Sequence, residues 1–241
     1  MGVIVHYHPA IAWHVPFAKK LIAGLQNRGI GVQTTSLQHR AGEMAILLGT
    51  TLWKAIEQDG GGFVLIDRCH YGDTDNWVAL ARNGRGYRAR WPTRADPSRW
   101  EKYGQPLLPW RTGSRVVLCG QIGAYSPDWD SEESWFKAMQ KHCTHFRPHP
   151  CGFNPTDLPT TQDWNDIKCA VVLNSSIATQ TVMCGIPTVT MDKGSMAWPI
   201  TGHTLDDIRT PEREQWMHWL AWCQWSHDEI KEGIPWDYLE L

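Results

Sequence analysis

The chain has 241 residues, a formal net charge of −2 and a hydrophobic fraction of 42%, which suits a soluble globular protein of one large or two small domains. No apolar run reaches about eighteen residues, which argues against a membrane-spanning helix. The start, Met1-Gly2-Val3-Ile4-Val5-His6-Tyr7-His8, lacks the basic and apolar regions of a secretion signal. Seven scattered cysteines without a CxxC pair argue against a zinc ribbon or dithiol motif, and fit free thiols in a reducing, cytoplasmic setting.

In chain order, Val3-Ile4-Val5 reads as a strand, 13–27 as a helix and Gly31 to Thr35 as a short strand. Ala45 to Gly49 is strand-like, 51–59 helical, and Phe63 to Asp67 another strand. This alternation with short connections predicts a parallel sheet flanked by helices. The tract 71–113, with Gly72, Gly84, Gly86, Gly104 and Gly113 and Pro92, Pro97, Pro106 and Pro109, reads as long loops ending in a crossover.

The rhythm restarts with a strand at Arg115 to Cys119, a helix over 131–142 opened by Ser131 and Ser134, and a short strand at Thr144 to Arg147. Cys169 to Leu173 is a strand, Ile177 to Met183 a helix and Pro187 to Met191 a strand. The chain has fifteen tryptophans, and Trp216, Trp219, Trp222 and Trp225 recur every three residues in a closing helix. That stripe packs at a domain or subunit boundary, or forms a stacking platform. The expected architecture is α/β: two Rossmann-like domains facing a central cleft, one over 1–112 and one over 113–241 that includes the Trp-rich helix.

Polar or glycine residues stand at four strand ends of the second half. In open parallel sheets, ligands bind beyond the carboxyl ends of strands. Asn174-Ser175-Ser176 is either a plain N-cap or, through free N–H groups and the helix dipole, an anion site. Arg147-Pro148-His149-Pro150 offers a planar cation and a histidine on stiff backbone. Cys119-Gly120-Gln121 and Asp192-Lys193-Gly194-Ser195 complete the set. A G-x-x-x-x-G-K-[ST] loop is absent, which disfavours a P-loop NTPase.

Three segments carry a resemblance: Arg147-Pro148-His149-Pro150, Asn174-Ser175-Ser176-Ile177-Ala178-Thr179-Gln180 and Gly185-Ile186-Pro187-Thr188-Val189. Together they resemble the donor domain of GT-B glycosyltransferases, over about 115–200. More narrowly the chain is similar to small phage-encoded glycosyltransferases that decorate modified DNA bases, through Leu65-Ile66-Asp67-Arg68-Cys69-His70-Tyr71-Gly72-Asp73 and Arg82-Asn83-Gly84. The resemblance implies sugar transfer from a nucleotide sugar, UDP-linked, to a hydroxylated DNA base, in the host cytoplasm if phage-encoded. It places Gly120, Gln121, Arg147, His149, Asn174, Ser175, Ser176, Thr179, Gln180 and Asp192 around the donor. GT-B donor domains often carry Glu where Gln180 stands here.

Inverting transfer needs a base for the acceptor hydroxyl and cations or dipoles for the departing diphosphate. Asp67, at the end of an apolar strand, is the leading base, with Asp73 and His8 as alternatives. Asp67 could equally pair with Arg68, and a retaining enzyme would need no such base. No metal or cofactor is expected, since Arg147 and backbone amides can carry the diphosphate charge. Six arginines over 82–99 (Arg82, Arg85, Arg88, Arg90, Arg94 and Arg99) interleave with Tyr87 and Trp91. Such a tract reads as a DNA-binding face or as a solvated loop with internal ion pairs.

Overall fold

The computed structural model describes residues 2–35, 44–49, 52–122, 126–152 and 156–239. The chain divides into two α/β units, Met1–Gly104 with Gln215–Leu241, and Gln105–Glu214.

In the first unit, β1 (Gly2–His6), β2 (Gly31–Thr35), β3 (Met44–Leu48) and β4 (Phe63–Arg68) pair in parallel. The Val, Ile and Leu runs of β1, β3 and β4 are buried, as a helix-covered parallel sheet requires, whereas β2 at the sheet edge stays largely exposed. β5 (Trp77–Arg82) adds antiparallel to β4. It lies inside the tract expected to be loop; six residues bounded by Gly72 and Gly84 are a strand too short for the surrounding turn signals to reveal. The same tract also holds a short 3-10 turn at Gly86–Arg88 and α3 (Ser98–Tyr103).

Helices α1 (His14–Asn27) and α2 (Trp53–Gln58) cover this sheet. The apolar face of α1 buries Phe17, Ala18, Leu21 and Leu25.

The C-terminal segment departs from expectation. The Trp-rich stretch does not close the second half but returns to the first unit. It is also not one helix: α6 (Glu214–Trp222) stops, β10 (Gln224–Ser226) pairs antiparallel with β5, and α7 (His227–Glu232) packs on α1. A Cβ on Gly24 of α1 would meet the Ile230 carbonyl at 1.8 Å, so glycine permits that helix contact. The cause is burial: Trp222 and Trp225 belong to the same apolar cluster as Val5, Leu21, Ile66 and Leu80. Trp219 donates its indole N–H to the Pro92 carbonyl at 3.1 Å. The tryptophans are therefore core and seam of one unit, not a stacking platform.

The second unit is a four-stranded parallel sheet in the order β7 (His145–Arg147), β6 (Arg115–Cys119), β8 (Ile167–Val172) and β9 (Thr188–Thr190). Helix α4 (Glu132–Gln140) opens with a reciprocal capping box between Ser131 and Ser134, and buries Trp135 and Phe136 against Phe146 and Leu118. Helix α5 (Ile177–Met183) crosses between β8 and β9 and ends at Gly185, whose φ is +74° and where a Cβ would lie 2.0 Å from the Pro109 carbonyl oxygen, so a side chain is excluded. Each unit is Rossmann-like. All four strands of the second sheet end on one edge, which brings the strand-end residues named above onto a common rim.

Candidate donor and acceptor sites

On that rim three polar side chains hold one another. The Gln121 amide donates to Asn174 Oδ1 and accepts from the Asn174 backbone N–H at 3.2 Å. Asn174 Nδ2 then donates to Asp192 Oδ1 at 2.9 Å. Asp192 is fully buried, and also accepts from Ser126 Oγ at 2.5 Å and the Gly194 N–H at 2.7 Å. The network ties the ends of β6, β8 and β9 together. A buried carboxylate with this many donors is a fixed frame, and its lone pairs are spoken for. Gln121, Asn174 and Asp192 thus face each other, where the sequence reading had them facing a ligand.

The Asn-Ser-Ser loop is correspondingly altered. Ser176 already has helical torsions and gives no side-chain cap. Ser175 Oγ takes the Ile177 N–H at a long 3.4 Å. Ser175 is half-buried and Ser176 exposed, so these are the loop's groups at the surface. Thr179 is buried at 1% exposure and turned into the unit, whereas Gln180 is exposed. A seven-residue helix also carries little macrodipole, which moves the weight of any anion site onto Arg147.

Arg147 ends β7, and its carbonyl accepts the Gly120 N–H at 2.8 Å, fixing glycine and arginine side by side. Its guanidinium lies over the Trp164 ring, and its Nε is buried without a hydrogen-bond partner. Among the described residues it has no ion-pair partner. His149 is taken up in the loop's own turn: Nδ1 accepts the Cys151 N–H at 3.1 Å and its carbonyl the Gly152 N–H at 3.2 Å.

In the first unit the three candidate bases separate. Asp67 Oδ1 accepts the Arg68 N–H at 2.8 Å, but the guanidinium facing it is that of Arg85, Nε to Oδ2 at 4.0 Å. Its side chain is 46% exposed, so it remains reachable. Asp73 instead caps a turn, accepting from Asn76 Nδ2 at 2.7 Å and the Asp75 N–H at 2.9 Å. Those bonds hold its carboxyl below the usual range and make it the weaker proton acceptor. His8 Nδ1 accepts the Ala10 N–H at 3.2 Å, which leaves Nε2 as its outward nitrogen.

Sequence reasoning passed over His70. It is buried, its ring centre 5.6 Å from that of Trp91 in a T-shaped contact, and desolvation holds its imidazole down to about 4, with Asp67 opposing. Its place beside Asp67 was visible in the chain; its burial was not.

The arginine tract is largely internal. Arg82 donates to the Leu239 carbonyl at 2.9 Å. Arg94 is ion-paired with Asp96 and lies 4.2 Å over Trp222. Arg99 is buried against Glu229. Trp91 lies edge-on to His70 and Trp219, with its N–H on the Gly86 carbonyl at 2.9 Å. Arg85, Arg88 and Arg90 remain half-buried or exposed on the tract. A DNA face built from all of these residues is not what the structure contains, because the C-terminal segment occupies the cations and rings that would form it.

No protein-family model and no curated protein matches the chain. A solved structure does: the KpsC protein of Thermosulfurimonas dismutans, titled beta Kdo 2,7 transferase, superposes with a TM-score of 0.59 over 98% of this chain and 99% of that one. The fold is GT-B. Identity to that neighbour is 14%, so the likeness concerns the fold and not the chemistry. Among the described residues no helix is long and apolar enough to cross a membrane, and no group of acidic, histidine or cysteine side chains is arranged to hold a metal ion.

Proposed function

We propose that the protein is a glycosyltransferase that takes its sugar from a nucleotide-activated donor. The observation that carries this is Arg147, a half-buried cation without an ion-pair partner among the described residues, at a strand end of a GT-B-type parallel sheet. Anions bind at such edges, and a planar guanidinium can take two phosphate oxygens at once. In this reading Arg147 meets the donor diphosphate and stabilises the charge that develops as the sugar departs. Gly120, without a side chain, lets the ligand approach the β6 end. Ser175 and Ser176 supply N–H and hydroxyl groups, and His149 shapes the turn beside Arg147. Gln180, exposed on α5, is the residue left to reach a ribose or sugar hydroxyl. Gln121, Asn174 and Asp192 hold the rim in place, and buried Thr179 has a packing role.

Asp67 is the base we assign for the acceptor hydroxyl, being half-exposed beside Arg85 and not committed to a turn as Asp73 is. His8 Nε2 is the alternative. The acceptor we favour is a glycan. The neighbour of like fold is titled a Kdo transferase, and half the arginine tract expected to bind DNA is engaged within its own unit. Transfer to a hydroxylated DNA base would have to rest on Arg85, Arg88 and Arg90. The nucleotide is proposed to be UDP, which a panel of donors decides.

The test is product detection by mass spectrometry after incubation with a panel of nucleotide sugars and with glycan or hydroxylated-base DNA acceptors. Arg147→Ala is expected to lower kcat/KM by about 10²–10³ without loss of folding. Full activity in that variant would remove the donor assignment.

A further inference from the structure

Arg147 is held by a residue that no motif singled out. Its Cζ lies 4.8 Å from the centre of the Trp164 ring. Stacking a planar guanidinium on an indole fixes the plane of the fork without using any of its N–H groups. Nε is buried and has no hydrogen-bond partner, so the Nη edge is what remains to meet a ligand.

The loop carrying Trp164 is itself pinned. Thr161 donates its N–H to the Phe146 carbonyl at 2.8 Å, one residue before Arg147. Asp163 accepts the Asn165 N–H at 2.8 Å and is paired with Arg115 at 2.8 Å. Asp166 accepts from the Ser114 hydroxyl at 2.6 Å. The two carboxylates flanking Trp164 are therefore turned to other partners. Arg147 receives an aromatic face from this loop and no counter-charge.

We infer that Trp164 is a positioning residue: it orients the Arg147 guanidinium so that both Nη groups meet phosphate oxygens of the donor end-on. This deepens the proposed donor site and rests on it. Trp164 itself touches no reacting atom; its contribution is to remove the cost of ordering a long cationic side chain when the phosphate arrives.

Calorimetric titration tests this, with UDP, the other nucleoside diphosphates and inorganic pyrophosphate as probes. Trp164→Leu, which keeps apolar bulk and removes the π face, should weaken binding about tenfold, and Trp164→Phe should stay within about twofold of the parent. The deciding measurement is the cycle with Arg147→Ala. If Trp164 acts through Arg147, Trp164→Leu should cost nothing further in the Arg147→Ala background. Unchanged binding in Trp164→Leu, or an equal loss in both backgrounds, would overturn the inference while leaving the donor site standing. If the parent protein binds none of the probes, the donor reading falls and this inference with it.

Discussion

Arg99 and Glu229 form a bidentate, buried ion pair across 130 residues, Nη1 to Oε1 at 2.6 Å and Nη2 to Oε2 at 3.1 Å. The guanidinium also donates to the Ala221 and Gln224 carbonyls at 2.9 Å each, and stacks 4.1 Å from the Trp225 ring. Glu229 in turn accepts the Ser226 N–H at 2.9 Å, closing the capping box of α7. One pair thus joins α3, β10 and α7. Removing one partner of a buried pair strands the other charge, so Glu229→Gln should cost about 3–5 kcal/mol. Denaturant unfolding of the variant checks this, and a loss below about 1 kcal/mol would show that the pair is dispensable.

Asp192 makes the corresponding prediction for the second unit. Asp192→Asn keeps the shape but turns an NH₂ toward Ser126, Asn174 or Gly194, each of which now donates. A loss of about 2–4 kcal/mol is expected. Nucleotide binding by the fraction still folded should persist, because the residue frames the rim and does not line it. A variant of parental stability that has lost binding would make Asp192 a ligand contact after all.

His70 sets a pH dependence. Its folded pKa of about 4 lies below the ordinary 6.5, so between those values the unfolded chain binds the extra proton. Stability is therefore full above about pH 6.5 and falls as pH drops toward 4, by about 3 kcal/mol from this residue. His14 and His227, both lowered chiefly by burial, act in the same sense. Urea midpoints measured from pH 7 to pH 4 should decline, and His70→Phe should flatten part of the decline. A profile identical in parent and variant would refute the assignment.

The arginine tract yields a split. Arg82→Ala and Arg94→Ala should lower the melting temperature, since each removes a contact to the C-terminal segment. Replacing Arg85, Arg88 and Arg90 together with Ala should leave stability little changed, and any change in transfer to a glycan should be reproduced by Arg85→Ala alone, which removes the cation facing Asp67. Duplex binding that falls steeply with salt in the parent, and flattens in the triple variant, would restore the DNA acceptor.

The βαβ rhythm of both halves was legible because buried parallel strands are continuous apolar runs with sharp ends, as at Phe63 to Asp67 and Cys169 to Leu173. The strand-end residues could be picked out for the same reason. Their partners could not: Gln121 and Asn174 stand 53 positions apart, and nothing local tells a ligand contact from a mutual one. Trp216, Trp219, Trp222 and Trp225 misled through their regular spacing, which continues unbroken while the backbone passes from α6 into β10. Periodicity reports which side of an element is apolar, not which sheet it will join. That choice rests on shape and charge far away in the chain, here on Trp77, Arg99 and the α1 face. Trp164 was missed because an isolated aromatic in a polar loop carries no signal until the arginine beneath it is seen.

The return of the last segment to the first sheet bears on how the protein is made. On a ribosome, residues 105–214 emerge complete while the first unit still lacks β10, α7 and its inner tryptophans. The second unit can therefore finish first, and the earlier-synthesised sheet must wait with its β5 edge and part of its apolar face uncovered. During that interval β5 is an open strand, the kind of edge that pairs with other chains and that chaperones shield.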